Sequence, residues 1–474
     1  MNESTHTPAP VIEAQARPFS ELPLSPSLLA TLGQLEYHAM TPIQAASLPL
    51  ALAGKDLIAQ AKTGSGKTVA FALALLTNLN PRRFAVQAMV LCPTRELADQ
   101  VAQEIRRLAR AEDNIKILTL CGGNTMRPQM QSLEHGAHIV VGTPGRIMDH
   151  LERGSLTLDA LNTLVLDEAD RMLDMGFHDD IVYVASQCPR ERQTLLFSAT
   201  YPEGIAELAH RFQRNPHQVT LAEQHAGSKI RQRFFEVAHH ARLQAVGTLL
   251  RHYRPESTLA FCNTKQQCRD LVDELTRQGF QALTLNGDMD QRERDQVLIR
   301  FANRSCSVLV ATDVAARGLD IADLEAVINV DVTPDPEIHT HRIGRTGRAD
   351  RDGWALSLCS SADRRRVDNI AHSTGTEPEW QALDSLVPAS DEPLTPPMVT
   401  LQILGGRKEK IRPGDVMGAL AGEAGLTREQ VGKITVTDQS TYVALRREIA
   451  TDAMRKLAAG KLKGKAVKLR ALED

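Results

Sequence analysis

A chain of 474 residues has room for two or three domains, and 42% hydrophobic residues is an ordinary load for a soluble globular protein. No apolar run approaches the roughly 18 residues of a membrane span, and seven scattered cysteines without a C-x-x-C pair indicate neither a zinc site nor a disulfide framework. The net charge of −3 hides an asymmetry: residues 395–474 hold 15 Lys/Arg and 9 Asp/Glu, a net of +6, which leaves −9 on the rest, so the tail is the part suited to a polyanion such as nucleic acid.

In chain order, residues 1–17 lack a basic start followed by an apolar core and read as a disordered leader; the cysteines, several of them in apolar strand-like runs, make a reducing cytoplasm the expected compartment. Over 18–222, short apolar runs at 57–59, 88–92, 117–120, 138–141, 164–166 and 194–198 alternate with helical segments, the pattern of a helix-covered parallel sheet. A polar linker is expected at 223–230. The alternation restarts at 258–262, 282–285, 308–311, 326–330 and 354–358, giving a second α/β domain over 231–376. Five prolines then mark 377–397 as a stiffer linker. Residues 398–474 read as strand 398–404, helix 415–424, strands 431–437 and 441–446, helix 449–459 and strand 466–472, the βαββαβ order of RNA-recognition modules.

Two motifs carry chemistry. The run Ala61-Lys62-Thr63-Gly64-Ser65-Gly66-Lys67-Thr68 lies between an apolar strand and the apolar helix 69–76. Gly64 and Gly66 let backbone N–H groups close around phosphate oxygens at a helix N-terminus. Lys67 would reach the β/γ-phosphates and the Thr68 hydroxyl would ligate Mg2+. Ala61 stands where the general pattern has glycine. The strand Thr163-Leu164-Val165-Leu166 ends in Asp167 and Glu168; Asp167 would hold Mg2+ and Glu168 would orient and deprotonate the attacking water.

A wider set of motifs follows in order: Thr41-Pro42-Ile43-Gln44, Pro93-Thr94-Arg95-Glu96-Leu97-Ala98, Gly122-Gly123, Thr143-Pro144-Gly145-Arg146, Asp167-Glu168-Ala169-Asp170, Ser198-Ala199-Thr200, Phe261-Cys262-Asn263-Thr264, Gln291 with Arg294, the run from Ala311-Thr312-Asp313 to Asp320, and His341-Arg342-Ile343-Gly344-Arg345-Thr346-Gly347-Arg348. This set resembles the DEAD-box RNA helicases over residues 19–360. The resemblance implies two tandem RecA-like domains and ATP with Mg2+ as cofactors. It implies that Gln44 reads adenine through paired hydrogen bonds, with Phe19 and Tyr37 near the base, and that Thr63, Gly64, Ser65 and Gly66 wrap the phosphates. Asp320 would contact the ribose, and Arg345 and Arg348 would act as arginine fingers, a device that can be worth roughly 10³–10⁵ in rate. Glu36 stands where members usually carry glycine before the aromatic. Ser198 and Thr200 would link hydrolysis to strand separation, and His341 would couple Asp167–Asp170 to the other domain.

By the same resemblance, RNA runs across Arg95, Gly123, Thr143 and Arg146 of the first domain and Thr264, Arg294 and Thr312 of the second. Such contacts suit phosphate and 2′-OH and are blind to sequence. ATP would close the domains on a bent single strand and hydrolysis reopen them, prying short duplexes apart without processive travel.

Residues 398–474 are similar to the C-terminal domain of the bacterial DbpA type, which implies an RRM-like module recognising a hairpin of large-subunit ribosomal RNA in pre-ribosomal particles. Tyr442 is the lone aromatic of its third strand, so base stacking, worth roughly 1–3 kcal/mol per base, is scarce. Arg407, Lys408, Lys410, Lys461, Lys463 and Lys465 are therefore expected to grip folded RNA by shape and phosphate. A monomer without a membrane partner is expected. Two other readings stay open: a general mRNA-remodelling helicase, and an ATP-gated RNA clamp or scaffold.

Overall fold

The computed structural model describes residues 17–472 apart from 62–63, 113, 124, 202, 221–229, 317–320, 322–323, 348–351, 391, 423 and 467. Almost all of the expected leader and of the first linker thus lies outside the described residues. The chain divides into two compact units that part near residue 225.

The first unit is a parallel sheet of β1 (Leu57–Gln60), β2 (Ala88–Leu91), β3 (Ile117–Leu120), β4 (Ile139–Gly142), β5 (Thr163–Leu166), β6 (Gln193–Ser198) and β7 (His217–Thr220), in the order β3-β4-β2-β5-β6-β1-β7. Its apolar runs are continuous because both faces are covered. Ala88 and Val90 of β2 join one core and Met89 and Leu91 the other, and Val165 opposes Leu164 and Leu166 in the same way on β5. Each such Leu or Val contributes about 1.5–3 kcal/mol by its burial, so a one-residue slip of register would be costly. In register, Leu57 lies beside Leu195 and Thr163 beside Gln193, which brings the carboxyl ends of β1, β5 and β6 to one edge of the sheet. Loops leaving that edge are where an open parallel sheet places its ligand.

The second unit repeats the plan with β8 (Ile230–Glu236), β9 (Thr258–Phe261), β10 (Ala282–Leu285), β11 (Val308–Ala311), β12 (Ala326–Asn329), β13 (Gly353–Cys359) and β14 (Trp380–Gln381), in the order β10-β11-β9-β12-β13-β8-β14, all parallel. Three strands escape the sequence pattern. β7 is polar and mostly exposed, β8 runs through the polar Arg231-Gln232-Arg233 before its adjacent Phe234 and Phe235, and β14 has only two residues. Ile230, expected to end a linker, begins β8. The segment 377–397 is likewise more than a spacer. Trp380 pairs with Phe234 in the sheet and Leu386 is buried in the second core.

The same unit continues into an antiparallel sheet of β15 (Met398–Leu404), β16 (Val431–Val436), β17 (Ser440–Arg446) and, after a small hairpin of β18 (Lys461–Leu462) and β19 (Lys465–Ala466), β20 (Leu469–Ala471), in the order β16-β17-β15-β20. The helices Pro413–Gly422 and Arg447–Ala459 complete the βαββαβ order. The single final strand expected at 466–472 is divided between that hairpin and β20. Among the described residues no helix is long and apolar enough to cross a membrane.

A titratable group is locked into the second core. His339 is fully buried, with Nε2 at 3.2 Å from Gln232 Oε1 and its ring stacked on Phe234, which also touches Trp380. Burial, aided by Arg342, lowers its pKa to about 4. The unfolded chain takes up this proton near pH 6.5 and the folded chain does not, so stability is lost as pH falls from 6.5 towards 4. Between pH 7 and pH 5 the loss from this one group is about 2 kcal/mol. The chain's two tryptophans are Trp354 and Trp380, both in this unit. Urea unfolding followed by their fluorescence is therefore expected to show that acid-dependent loss in the wild type and not in His339→Gln; an equal loss in both would exclude His339.

Candidate active site and RNA interface

At the carboxyl edge of the first sheet, β1 ends and the chain turns through Gly64 and Gly66, with φ of 82° and 93°, into the helix Lys67–Thr77. A Cβ on Gly66 would lie 2.5 Å from Gln44 Nε2, so glycine is required for close approach as well as for its dihedral. The helix Pro42–Leu52 holds this loop. Thr41 Oγ1 donates to Ser65 O (2.7 Å), Gln44 Nε2 donates to Gly66 O (3.0 Å), and Gln44 Oε1 accepts from Thr41 N (2.9 Å). The carboxamide expected to read adenine is thus also a strut of the phosphate loop. Lys67 is 6% exposed and donates to Ala61 O at 2.7 Å. Ala61 is buried, its N–H bonded to Ser198 O. Thr68 is half-buried in the first helical turn, and Thr63 lies outside the described residues.

β5 delivers the carboxylates to the same edge. Asp167 is 3% exposed and its buried Oδ1 has no hydrogen-bond partner. Burial pushes its pKa up to about 7 and Glu168 adds to the rise, against the pull of Lys67. Glu168 adopts a left-handed backbone, φ 53° and ψ 51°, which costs a non-glycine residue about 1–2 kcal/mol. Arg171 Nη1 donates to Glu168 Oε2 at 2.9 Å. The sequence reading missed Arg171, although its three-residue spacing from Glu168 on a helix was the available signal. Asp170 Oδ2 accepts from Ala199 N (3.0 Å), Thr200 N (2.9 Å) and Thr200 Oγ1 (3.1 Å), which fixes Ser198-Ala199-Thr200 to the acidic strand end. Ser198 is buried beside them.

Phe19 and Tyr37 sit differently from each other. Phe19 is a core residue, whereas Tyr37 is half-buried against that core and donates from its hydroxyl to Glu104 Oε1 at 2.8 Å. Glu36, just before it, has φ 62°.

The expected RNA contacts of the first unit share one chemistry. Arg95 and Arg146 lie in the first turns of the helices Arg95–Leu108 and Pro144–Glu152, Thr143 caps the second of these, and Gly123 is exposed with φ 78°. Helix N-termini and a cationic side chain both favour phosphate. In the second unit Thr264 caps the helix Lys265–Arg277, its Oγ1 accepting from Gln267 N at 3.2 Å, which leaves the hydroxyl hydrogen for another acceptor. Arg294 Nη2 donates to Ala315 O (2.8 Å) and Thr312 Oγ1 accepts from Ala315 N (3.3 Å), so one turn gathers both. His341 is half-buried on the helix Pro336–Ile343, and Arg345 is buried just beyond it. Arg348 and Asp320 lie outside the described residues. Arg342, to which no role was assigned, donates from Nε and Nη2 to the two carboxylate oxygens of Asp313, both at 2.7 Å, and from Nη1 to Asp331 O. It ties the helix that leads to Arg345 to the segment after β11.

The C-terminal sheet does not present an open face. Thr400 Oγ1 accepts from Asn303 Nδ2 (3.1 Å) and lies 2.6 Å from Ser305 Oγ, while Tyr442, 3% exposed, meets Gln296 Nε2 at 3.3 Å through its hydroxyl. The lone aromatic is covered by the helix Gln291–Ala302 and the residues after it. Basic side chains gather elsewhere: Arg407, Lys410, Arg412 and Lys463 line a pocket of about 350 Å³ with Ile411. Lys410 and Lys463 both have left-handed backbones, φ 59° and 54°, and Lys463 Nζ donates to Lys410 O at 2.6 Å. Asp415, beside Lys463, is held below the usual carboxylate range by the Arg412 N–H and by Lys463. Lys408 and Lys461 are exposed but do not line this pocket, and Lys465's side chain lies outside the described residues. Arg412 is an addition that sequence reasoning missed.

A glycine-turned phosphate loop sharing an edge with a carboxylate pair defines a nucleoside triphosphatase. The chain matches the DEAD/DEAH box helicase family over residues 41–208, the helicase conserved C-terminal domain over 241–350 and the DbpA RNA binding domain over 400–471. It is 51% identical over 450 residues to the ATP-dependent RNA helicase DbpA of Escherichia coli, spanning 95% of this chain and 98% of that one. It is 42% identical over 357 residues to the DEAD-box ATP-dependent RNA helicase CshA of Geobacillus kaustophilus, covering 75% of this chain and 76% of that one. Among solved structures, Saccharomyces cerevisiae Dbp5 bound to RNA and ADP BeF3 aligns with a TM-score of 0.72 at 30% identity, over 78% of this chain and 96% of that one. The chain belongs to the DEAD-box ATP-dependent RNA helicases that carry a DbpA RNA-binding domain. It is accordingly an ATP-hydrolysing enzyme that acts on RNA.

The backbone of Glu36 yields a stability test. Relief of its left-handed strain in Glu36→Gly, less glycine's larger unfolded-state entropy, is expected to leave a small net gain. Calorimetry should find the melting temperature of the first unit raised by roughly 2 °C; a fall would mean that the Glu36 side chain stabilises its loop by more than the strain costs.

Proposed function

We propose that this enzyme hydrolyses ATP to separate short RNA duplexes locally and that its substrate is a folded hairpin of large-subunit ribosomal RNA during ribosome assembly. The observation that carries the choice of folded RNA is the C-terminal domain. Its sheet face is covered, its only aromatic of the third strand is buried, and four cationic side chains converge in the pocket of Arg407, Lys410, Arg412 and Lys463. Such a surface suits phosphates held at a fixed spacing by a folded RNA.

In this reading Asp167 and Thr68 hold Mg2+. The fit rests on the unpartnered, buried Asp167 Oδ1, whose charge needs a cation. When bound, the ion neutralises charge on the β- and γ-phosphate oxygens. Gly64, Ser65 and Gly66 offer backbone N–H groups to the phosphates, and Lys67 exchanges Ala61 O for a phosphate oxygen. Glu168, oriented by Arg171, accepts the proton of the attacking water. Gln44 faces adenine, and Arg345 and Arg348 of the second domain stabilise charge on the transferred phosphoryl group. Arg95, Gly123, Thr143 and Arg146, with Thr264, Arg294 and Thr312, hold the RNA backbone without reading its sequence. Asp170 is the link through which a change at the carboxylates reaches Thr200.

Two measurements test this. Glu168→Gln keeps the shape and removes the base, so turnover should fall by about 10²–10⁴ while ATP-dependent RNA binding persists. Normal turnover would exclude Glu168 as the base. Separately, ATPase rates without RNA, with mixed mRNA and with ribosomal RNA fragments should show selective stimulation by the last, and Arg412→Ala with Lys463→Ala should abolish the selectivity. Similar stimulation by every RNA would favour a general mRNA-remodelling helicase.

A further inference from the structure

The helix Met126–Glu134 buries no residue fully, yet one of its side chains reaches inward to three partners. Gln129 Nε2 donates to Cys121 O at 3.2 Å, and Gln129 Oε1 accepts from Arg146 Nη1 at 2.9 Å and lies 3.0 Å from His150 Nε2. Cys121 is buried and directly precedes Gly122-Gly123, where Gly123 turns with φ 78°. Arg146 and His150 lie one helical turn apart on Pro144–Glu152.

The hydrogen-bond roles are determined by exclusion. The Cys121 carbonyl can only accept, so it fixes which end of the Gln129 amide is nitrogen. Oε1 must then accept from both neighbours, which puts the hydrogen of a neutral His150 on Nε2. In the neutral ring Nδ1 accepts from Ser155 Oγ, 2.8 Å away, whose single hydrogen has the His150 carbonyl oxygen at 3.1 Å as its alternative acceptor. His150 is fully buried beside Arg146, and burial first and that cation second lower its pKa, so the neutral form is the one favoured. A carboxylate at position 129 has no donor for Cys121 O, and an apolar residue has neither donor nor acceptor. Only a carboxamide of this length meets all three partners.

We propose that Gln129 is a positioning residue for RNA: it touches no RNA itself and fixes Arg146 and the Gly122-Gly123 turn as one rigid contact surface, with neutral His150 as the backstop. The inference rests on the reading of Arg146 and Gly123 as RNA contacts. Without Gln129 the Arg146 guanidinium keeps Asp149, whose Oδ2 lies 3.4 Å from its Nε, but loses its tie to the turn, so the two would have to be aligned when RNA arrives, which weakens binding without altering the bond-breaking step.

The test is a double-mutant cycle in the full chain, with ribosomal RNA fragments as the probe and RNA-stimulated ATPase as the readout. Gln129→Met should raise the half-saturating RNA concentration about tenfold, the scale of one charge-assisted hydrogen bond, with turnover at saturating RNA within about twofold of wild type. The Gln129→Met/Arg146→Ala double variant should bind no more weakly than Arg146→Ala alone, because the two act as a unit. A merely structural Gln129 would multiply the two factors, and that result overturns the proposal, as does wild-type half-saturation in Gln129→Met. If Arg146→Ala alone leaves half-saturation unchanged, the RNA-contact reading of Arg146 fails and the positioning role fails with it. Should Gln129→Met melt well below wild type, Gln129→Ala, which removes both ends of the amide without placing an apolar chain against Arg146 and His150, replaces it in the same cycle and is judged by the same non-additivity.

Discussion

One carboxylate oxygen organises the first domain's working edge. Asp170 Oδ2 accepts hydrogen bonds from Ala199 N, Thr200 N and Thr200 Oγ1, and so binds the strand end that carries Asp167 and Glu168 to the loop leaving β6. Charge-assisted bonds of this kind are roughly twice as strong as neutral ones, and in a buried setting the loss of even one leaves an orphaned polar group. The register of β1, β5 and β6 makes the arrangement possible, because their carboxyl ends come level at one edge. The phosphate loop is joined to the same unit through Ala61 N and Ser198 O. Loop, acidic pair and Ser198-Ala199-Thr200 are therefore one hydrogen-bonded assembly.

That assembly holds groups in states they would not adopt alone. Glu168 takes a left-handed backbone and Asp167 is stripped of water with one oxygen unpartnered. Strain and desolvation of this sort persist only where the surroundings over-determine them, and they gather at sites of chemistry. The second domain solves its own version with Arg342, whose paired bonds to Asp313 and bond to Asp331 O compensate the burial of a guanidinium. In both domains sheet packing supplies the rigidity and a few buried charges set the geometry.

The C-terminal domain follows a different logic. Its antiparallel sheet has two faces, and both are used for packing: one on its own helices, the other, through Thr400 and Tyr442, on the segment from Gln296 to Ser305. Cationic side chains are left to the loops, where Lys410 and Lys463 accept left-handed backbones and Lys463 reaches across to Lys410 O. The sequence deficit of aromatics and the burial of the one in the third strand are thus two sides of one fact.

Much was legible before any coordinates. Sheets buried on both faces have continuous apolar runs, so most strands of the two parallel domains announced themselves, as did the glycines of the phosphate loop and the carboxylates that end β5. β7, β8 and β14 did not, because polar, partly polar or two-residue strands at or near a sheet edge are specified by their neighbours. The sequence by itself determined the chemistry, since phosphate binding and water activation demand particular residue types at short spacing along the chain. Tertiary structure alone decided which distant side chains share a partner: Gln129 with Arg146 and Cys121, Gln44 with Gly66, Arg412 with Lys463, Tyr442 with Gln296. Those pairings depend on strand order and loop approach, which fix distances between residues that no local periodicity relates.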